Sequence, residues 1–135
     1  MEILDKLPND DPYDVVFIDA DKKMYLEYYE TILANNLVKV GGLIIVDNVL
    51  FRGMVAEVTE KEDDEACNDA AAPLSSSSPS SPTSSSSTRE EKTHKRHMKI
   101  AKALHEFNGA VAADERTESV LLPIRDGLTI TRRRI

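Results

Sequence analysis

Acidic and amide side chains directly follow two short apolar runs of this chain. Asp19 comes after the run at residues 15–18, and Asp47 and Asn48 come after the run at residues 43–46. Two carboxylates and an amide oxygen are a hard, all-oxygen ligand set, which suits Mg²⁺, Mn²⁺ or Ca²⁺ better than zinc. Asp19, Asp47 and Asn48 are therefore predicted to hold a divalent cation, with about three coordination positions left for substrate and water.

A lysine lies close to the first of these candidate ligands. Lys22 is three residues after Asp19, and we interpret it as near enough to act on whatever molecule the cation holds. The Asp-x-Asp pattern of Asp19 and Asp21 has other uses. It occurs in haloacid-dehalogenase-type phosphatases, whose usual Thr or Val after the second Asp is absent here, and in metal-dependent glycosyltransferases, which lack a partner strand ending in VDN. Aspartates also simply end strands and cap the segment that follows.

The elements that must position these residues form a strand, a helix and a second strand. The two apolar runs are rich in β-branched residues, which is typical of strands buried on both faces of a parallel sheet. Gly41 and Gly42 are predicted to close the connection before the second strand, where backbone freedom is needed. Between the runs, residues of one face recur with helical spacing: Tyr25, Tyr28, Tyr29, Ile32, Leu33 and Leu37.

This order predicts a βαβ unit with a right-handed crossover. In an open parallel sheet, ligands bind beyond the carboxyl ends of the strands. Asp19 and Asp47 are therefore expected to converge on one site, although 28 positions separate them.

The last part of the chain is predicted to form a helix and a hairpin. Apolar residues from Ile100 to Val111 mark a helical stripe, and Asn108 and Gly109 are predicted to end that helix. Residues 119–122 and 128–131 are predicted strands, and the turn residues between them favour an antiparallel hairpin. His94 and His97 have the spacing of some metal pairs, but the basic residues around them favour a solvated basic face.

An insertion is predicted to interrupt the fold. Residues 60–65 are mostly acidic, and residues 75–88 are almost wholly Ser, Pro and Thr. Such a composition cannot bury enough apolar surface to offset the entropy of ordering, so we predict disorder over residues 58–90. The predicted organisation is a βαβ half at residues 1–57, this insertion at 58–90, and a helix with a hairpin of the same domain at 91–135. A regulatory or phosphorylated linker is the alternative interpretation of the insertion.

Composition limits the classes of function. The chain has 135 residues, enough for one small domain, and a formal net charge of -7, which gives no electrostatic reason to expect nucleic acid. Its single cysteine, Cys67, permits no internal disulfide and fits a reducing compartment. No apolar stretch approaches the roughly 20 residues of a membrane span. These features predict a cytoplasmic protein that acts away from membranes.

Three segments together resemble a known enzyme family: VFIDADK, VGGLIIVDNVLFRG and LLPIRDGLTI. They are similar to the cation-dependent O-methyltransferases of the caffeoyl-CoA and catechol type, which use S-adenosylmethionine as methyl donor. The resemblance covers roughly residues 1–55 and 98–135. It implies an α/β fold, the C-terminal half of a Rossmann-like methyltransferase sheet, with a parallel βαβ unit, a helix and a terminal antiparallel hairpin interrupted by the Ser-rich insertion.

The resemblance also implies roles for individual residues and an acceptor with vicinal hydroxyls, catechol-like or hydroxycinnamoyl-CoA-like. A homodimer is among the partners it leaves open. The implied roles are cation binding by Asp19, Asp47 and Asn48, general-base catalysis by Lys22, donor binding by Asp19, Asp21 and Tyr25, and substrate contact by Arg52.

One part of the family pattern is missing. Members carry a glycine-rich donor loop, E/D-x-G-x-x-x-G, before the region that this chain resembles. The chain has five glycines and no such motif. Two interpretations follow: a truncated chain that is inactive alone, or a non-catalytic remnant that serves as a binding or dimerisation module.

Overall fold

The computed structural model describes residues 4–8, 10–58 and 89–135, except the side chain of residue 5. The predicted insertion therefore lies almost entirely outside the described residues. Four strands form one mixed sheet: β1 (Tyr13–Ile18), β2 (Val38–Asp47), β3 (Thr117–Leu122) and β4 (Leu128–Arg133). Helix α1 (Tyr25–Ala34) connects β1 to β2, and helix α2 (Arg89–Ala113) precedes the hairpin. Short 3₁₀ helices lie at Leu4–Lys6, Lys22–Met24 and Phe51–Gly53, and residues 54–58 are helical.

The predicted βαβ unit is confirmed. β1 and β2 pair in parallel, with Val16 opposite Ile44 and Ile18 opposite Val46. The predicted apolar stripe of α1 faces the core, since Tyr25, Tyr29, Ile32 and Leu33 are its buried residues. Burial at positions i, i+4, i+7 and i+8 is the pattern of a helix that packs one face on a sheet.

The position predicted for the glycine pair is wrong. Gly41 and Gly42 lie inside β2 and do not precede it. The pairing is irregular there, because Tyr13 lies opposite Val38 whereas Val15 lies opposite Leu43. Gly41 has a φ of +84°, and a Cβ on Gly42 would stand 2.9 Å from a backbone oxygen of β1. The glycines therefore accommodate a bulge within the strand.

The terminal hairpin is confirmed, and its place in the sheet is new information. β3 and β4 pair antiparallel, and β4 also pairs antiparallel with β2. The strand order is therefore β1-β2-β4-β3, so the last strand in sequence lies between the second and the third. Because β4 lies between β2 and β3, the turn before β4 is beside the carboxyl end of β2, where Leu128 lies opposite Asp47.

The predicted end of α2 at Asn108 and Gly109 is wrong, because the helix continues to Ala113. Phe107 and Val111 are both buried on the same helical face. Asn108 donates its side-chain amide to the carbonyl of Val49 at 2.9 Å. These contacts keep Asn108 and Gly109 helical, although both residues have low helix propensity. Tertiary packing commonly outweighs such local preferences.

The hydrophobic core lies on one face of the sheet, between the strands and the two helices. Phe107 of α2 packs its ring edgewise against Tyr25 and Tyr29 of α1, with centroid distances of 5.8 and 6.2 Å. The opposite face is different: Val15 and Phe17 are 53% and 59% exposed. Within the described ranges, the prediction that β1 is buried on both faces is therefore wrong. None of the described helices has the length and apolar character needed to cross a bilayer.

Candidate active site at the ends of β1 and β2

The hydroxyl of Tyr25 ties the start of α1 to the end of β2. Tyr25 is fully buried, and its hydroxyl donates a hydrogen bond to the backbone oxygen of Asp47 at 3.1 Å. The helix that follows β1 is thereby fixed at the carboxyl end of β2. This is the edge of the sheet where the sequence predicts a ligand site.

Three aspartates act electrostatically on this hydroxyl. Burial is the largest cause that raises the pKa of Tyr25 to about 12, and the negative charge of Asp19 is the next cause that raises it. Asp47 and Asp21 raise it further, while a backbone hydrogen bond with Ala20 works against them. All three predicted site aspartates therefore lie near enough to this one hydroxyl to raise its pKa. At neutral pH that hydroxyl remains protonated and donates to the Asp47 carbonyl.

Lys22 lies between Asp19 and the ring of Tyr25. Its Nζ is 3.9 Å from Oδ1 of Asp19 and 5.7 Å from the centroid of the Tyr25 ring. Asp21 caps the short helix that carries this lysine, since its carboxylate accepts the backbone N–H of Lys23 at 3.2 Å. The aspartate that the resemblance assigns to the methyl donor thus also determines the local backbone at Lys22.

Asp47 and Asn48 line a cavity of about 430 Å³ together with Arg125 and Asp126. Oδ1 of Asp47 accepts the backbone N–H of Asn48 at 2.7 Å. Sequence reasoning did not include Arg125 or Asp126 in the site. Their only signal was the segment IRDGLTI, which was interpreted as turn chemistry.

The turn before β4 holds the segment that carries Asn48. The N–H of Leu50 donates to the carbonyl of Asp126 at 2.7 Å, and the N–H of Val49 donates to the carbonyl of Gly127 at 3.2 Å. Both backbone groups that follow Asn48 are therefore fixed by the last hairpin of the chain. The position of a predicted ligand thus depends on residues about 80 positions later.

Left-handed backbone conformations cluster just after β2. Asn48, Phe51 and Arg52 have φ angles of 60°, 42° and 57°. Such angles are strained for residues other than glycine, and strain of this kind collects at functional sites. The ring of Phe51 packs edgewise on His97 of α2, with a centroid distance of 5.6 Å. Arg52 is exposed and does not line the Asp47 cavity.

The ligand atoms of Asp19, Asp47 and Asn48 fit a hard divalent cation, since all three side chains offer oxygen. Asp19, however, pairs with Lys22 and borders a different cavity from Asp47. The described part of the chain has no cluster of three or more His, Cys, Asp or Glu side chains that could hold a metal ion. The cation site at Asp19, Asp47 and Asn48 remains a prediction.

A second polar cluster, at the start of β3, is structural. The hydroxyl of Tyr29 donates to Asp114 at 2.9 Å and lies 2.9 Å from the hydroxyl of Thr117. Arg116 donates to both Asp114 and Glu30. Burial raises the pKa of Tyr29 above its ordinary range. This cluster joins α1 to the end of α2 and lies apart from the residues around Tyr25.

The arginines near the end of the chain also have protein partners. Arg133 donates to the backbone oxygen of Val38 at 2.7 Å and to Asn36, and Arg132 pairs with Glu118 at 2.6 Å. These contacts attach β4 to its neighbouring elements. They therefore account for the positions of both arginines.

Comparison with known proteins places these features in one family. The O-methyltransferase family model matches residues 1–73 and 84–134. A caffeoyl-CoA O-methyltransferase of Petroselinum crispum is 34% identical over 98% of this chain and 44% of its own length. Tricin synthase 2 of Oryza sativa subsp. japonica is 33% identical over 98% of this chain and 36% of its own length.

Solved structures show the same fold. A Podospora anserina methyltransferase with SAH bound matches 97% of this chain and 44% of its own, with a TM-score of 0.66 and 26% identity. The O-methyltransferase from Bacillus cereus, in complex with SAH, matches 98% of this chain and 46% of its own, with a TM-score of 0.60 and 23% identity. The chain spans less than half the length of these relatives.

Proposed function

The chain belongs to the O-methyltransferase family, and from this premise we propose that it forms the carboxyl-terminal half of an S-adenosylmethionine-dependent, divalent-cation-dependent O-methyltransferase. The acceptor carries vicinal hydroxyls, as in a catechol or a hydroxycinnamoyl-CoA ester. The observation that supports this proposal is that Asp19, Asp21 and Asp47 all lie near enough to the buried hydroxyl of Tyr25 to raise its pKa, with Nζ of Lys22 3.9 Å from Asp19. A family fold alone does not determine chemistry, so the proposal depends on what these side chains offer: carboxylate oxygens as ligands and a lysine amine as base.

Asp19, Asp47 and Asn48 would hold the cation, whose bound charge supplies Lewis-acid polarisation that lowers the pKa of an acceptor phenol. Lys22 acts as general base: its neutral Nζ takes the phenol proton and becomes an ammonium group. Asp19, 3.9 Å away, then stabilises that positive charge. The phenolate oxygen would then bond to the donor methyl in line while the carbon–sulfur bond of the donor breaks and S-adenosylhomocysteine leaves, and holding both reactants in line would provide much of the acceleration.

Asp21 and Tyr25, together with Asp19, face the methyl donor in this proposal. Tyr25 keeps its proton at neutral pH and secures the end of β2, while Asp21 holds the turn that bears Lys22. The donor loop E/D-x-G-x-x-x-G is not part of this sequence. We therefore expect weak or no S-adenosylmethionine binding by residues 1–135, and calorimetry that gives micromolar affinity would contradict this expectation.

The base is tested by replacing Lys22 with alanine. Methyl transfer to catechol and to caffeoyl-CoA is measured in a chain extended amino-terminally by the donor-binding half of the Petroselinum crispum relative. Lys22→Ala should reduce the rate by about 10²–10⁴, the usual contribution of a general base, and raised pH should recover part of the loss. Lys102→Ala, at an exposed lysine of α2, is the control. Near-normal turnover of Lys22→Ala at neutral pH would rule out this role.

The cation is tested by replacing Asp47, with Mg²⁺ binding measured by calorimetry and turnover measured against Mg²⁺ concentration. Asp47→Ala should weaken Mg²⁺ binding sharply, and high Mg²⁺ should restore part of the activity. Lys22→Ala should leave Mg²⁺ affinity unchanged, because it removes none of the three oxygen ligands. Asp14→Ala, at an exposed carboxylate that pairs with Lys39, controls for the loss of one charge. Equal effects of Asp14→Ala and Asp47→Ala would remove the support for this site.

One observation favours a second candidate function, a binding or dimerisation module. Phe17, Ile45, Ile130 and Val120 lie opposite one another in register across all four strands, on the face without the core, and Phe17 is 59% exposed. Exposed apolar patches of this kind often mark interaction surfaces. Sedimentation should then show dimers that Phe17→Ser disrupts, whereas Ile124→Ser, at an exposed turn residue, should not. A chain that stays monomeric at high concentration would exclude dimerisation.

A further inference from the structure

Asn108 is a polar residue on the face of α2 that packs against the core. Leu104 and Val111, which lie four residues before it and three after it, are both buried, and residues at these spacings are neighbours on a helix surface. The side-chain amide of Asn108 donates to the carbonyl of Val49 at 2.9 Å. Its amide oxygen is buried and has no hydrogen-bond partner among the described residues. Asn108 therefore directs its amide nitrogen at the segment that follows β2.

The chemistry of this contact determines which way the amide group points. A carbonyl oxygen can only accept a hydrogen bond, so the atom of Asn108 that faces Val49 must be the nitrogen. A buried oxygen left without a partner is destabilising. The contact with Val49 is thus retained although the amide oxygen stays unpaired in the part of the chain that the structure describes. Asn108 supplies a donor to backbone outside the strands and helices, which is a role beyond packing.

Val49 has both of its backbone polar groups held by distant parts of the chain. It lies between the end of β2 and the 3₁₀ helix at Phe51–Gly53, and it is fully buried, so these groups need protein partners. Its N–H donates to the carbonyl of Gly127 at 3.2 Å, and its carbonyl accepts the amide of Asn108. The last hairpin and α2 therefore hold this residue from two different elements.

Asn48, directly before Val49, has a backbone conformation that requires such support. Its φ of 60° lies in the left-handed region, which is sparsely populated by residues other than glycine. Such conformations persist only where the surrounding contacts over-determine them. Asn48 and Asp47 line one cavity. The backbone angles of Asn48 therefore decide where its amide oxygen stands relative to the Asp47 carboxylate.

We propose that Asn108 is a positioning residue for Asn48, the amide ligand of the predicted cation site. Asn108 holds the carbonyl of Val49, which keeps the backbone of Asn48 left-handed and its side chain at the cavity beside Asp47. This inference rests on the proposed function, because that function supplies the cation. Asn108 acts through Val49 and is not itself a ligand. Outer partners that orient the ligands of a metal site change its affinity when they are replaced.

Mg²⁺ calorimetry and amide hydrogen exchange on the 135-residue chain test this role. Asn108→Leu removes the donor and keeps a side chain of similar size. It should weaken Mg²⁺ binding by about tenfold, and the amides of Val49 and Leu50 should exchange faster because their segment opens more readily. Asn108→Gln, whose amide still donates, should retain more Mg²⁺ affinity than Asn108→Leu. If Asn108→Leu does not fold, Asn108→Ser, which is too short to reach Val49, takes its place.

Val111→Ala is the matched control, because Val111 is buried on the same face of α2 and the change loosens packing without removing the hydrogen bond. It should lower the free energy of unfolding and leave Mg²⁺ affinity unchanged. The inference is overturned if Val111→Ala weakens Mg²⁺ binding as much as Asn108→Leu does, or if the Gln and Leu variants of Asn108 lose equal affinity. Unchanged exchange at Val49 and Leu50 in Asn108→Leu would also overturn it.

Failure of the proposed function gives a different result. If Asp47→Ala leaves Mg²⁺ affinity unchanged, the predicted cation site is wrong. Hydrogen exchange at Val49 and Leu50 needs no cation, so it still decides whether Asn108 positions the segment that carries Asn48.

Discussion

Asp114 combines several hydrogen bonds in a mostly covered position. Arg116 donates to it from both the side chain and the backbone, with distances of 2.7 to 3.0 Å, and the hydroxyl of Tyr29 donates at 2.9 Å. Hydrogen bonding by Arg116 is the largest cause that lowers the pKa of Asp114 to about 2, against the opposing effect of burial. The ionised carboxylate is therefore the form that the fold stabilises.

This lowered pKa predicts a stability that depends on pH. A carboxyl whose pKa is lower in the folded state stabilises above its unfolded pKa, and that stability is lost as pH falls toward the folded value. At pH 7 the free energy of unfolding of the unmodified protein should therefore exceed that of the Asp114→Asn variant by about 1–2 kcal/mol. The difference should shrink as pH falls from about 4 to about 2, as denaturant titrations at several pH values would measure. A difference that stays constant with pH would contradict this account, and Asp14→Asn should change little at any pH because its pair with Lys39 is exposed.

The turn before β4 and the segment after β2 act as one unit. Gly127 has a φ of +86°, and a Cβ there would stand 2.5 Å from Cγ and 2.9 Å from the backbone nitrogen of Leu50. Only glycine permits this approach. The two backbone hydrogen bonds that hold Val49 and Leu50 depend on it.

Gly127→Ala should therefore destabilise the fold by about 2–4 kcal/mol, since it combines backbone strain with overpacking. Gly53→Ala is a matched control, because Gly53 has a φ of +77° and open space within 4 Å. It should cost about 1 kcal/mol from strain alone. Thermal or denaturant unfolding of both variants measures the difference. Equal losses of unfolding free energy in the two variants would show that the contact with Leu50 does not contribute to stability.

In the described residues, the molecule is a sheet with its core on one face. The sequence also contains a tract that the family model does not match. Residues 74–83 fall between the two matched segments, and they lie outside the described residues. Their Ser- and Pro-rich composition predicts that they bury little apolar surface. Deletion of residues 74–83 should change the free energy of unfolding by no more than about 0.5 kcal/mol. A loss of several kcal/mol on deletion would show that this tract packs against the fold.

The elements of the fold were accessible to sequence reasoning because their signals are local. Two β-branched runs around a helical stripe from Tyr25 to Leu33 predicted the βαβ unit, and turn residues predicted the final hairpin. Asp19, Asp21 and Asp47 were identified because each follows a strand, where side chains of parallel strands meet at one edge. Such patterns depend on residues within a few positions of one another.

Tertiary contacts decided the rest. Asn108 and Gly109 remain helical because Phe107 and Val111 are buried and Val49 accepts the Asn108 amide. Asp126 joins Asp47 only because β4 inserts between β2 and β3. Lys23 likewise lines one cavity with cations of α2 only because that helix lies beside the short helix Lys22–Met24. Strand order and helix packing are set by burial between residues far apart in sequence, so no local pattern contains them.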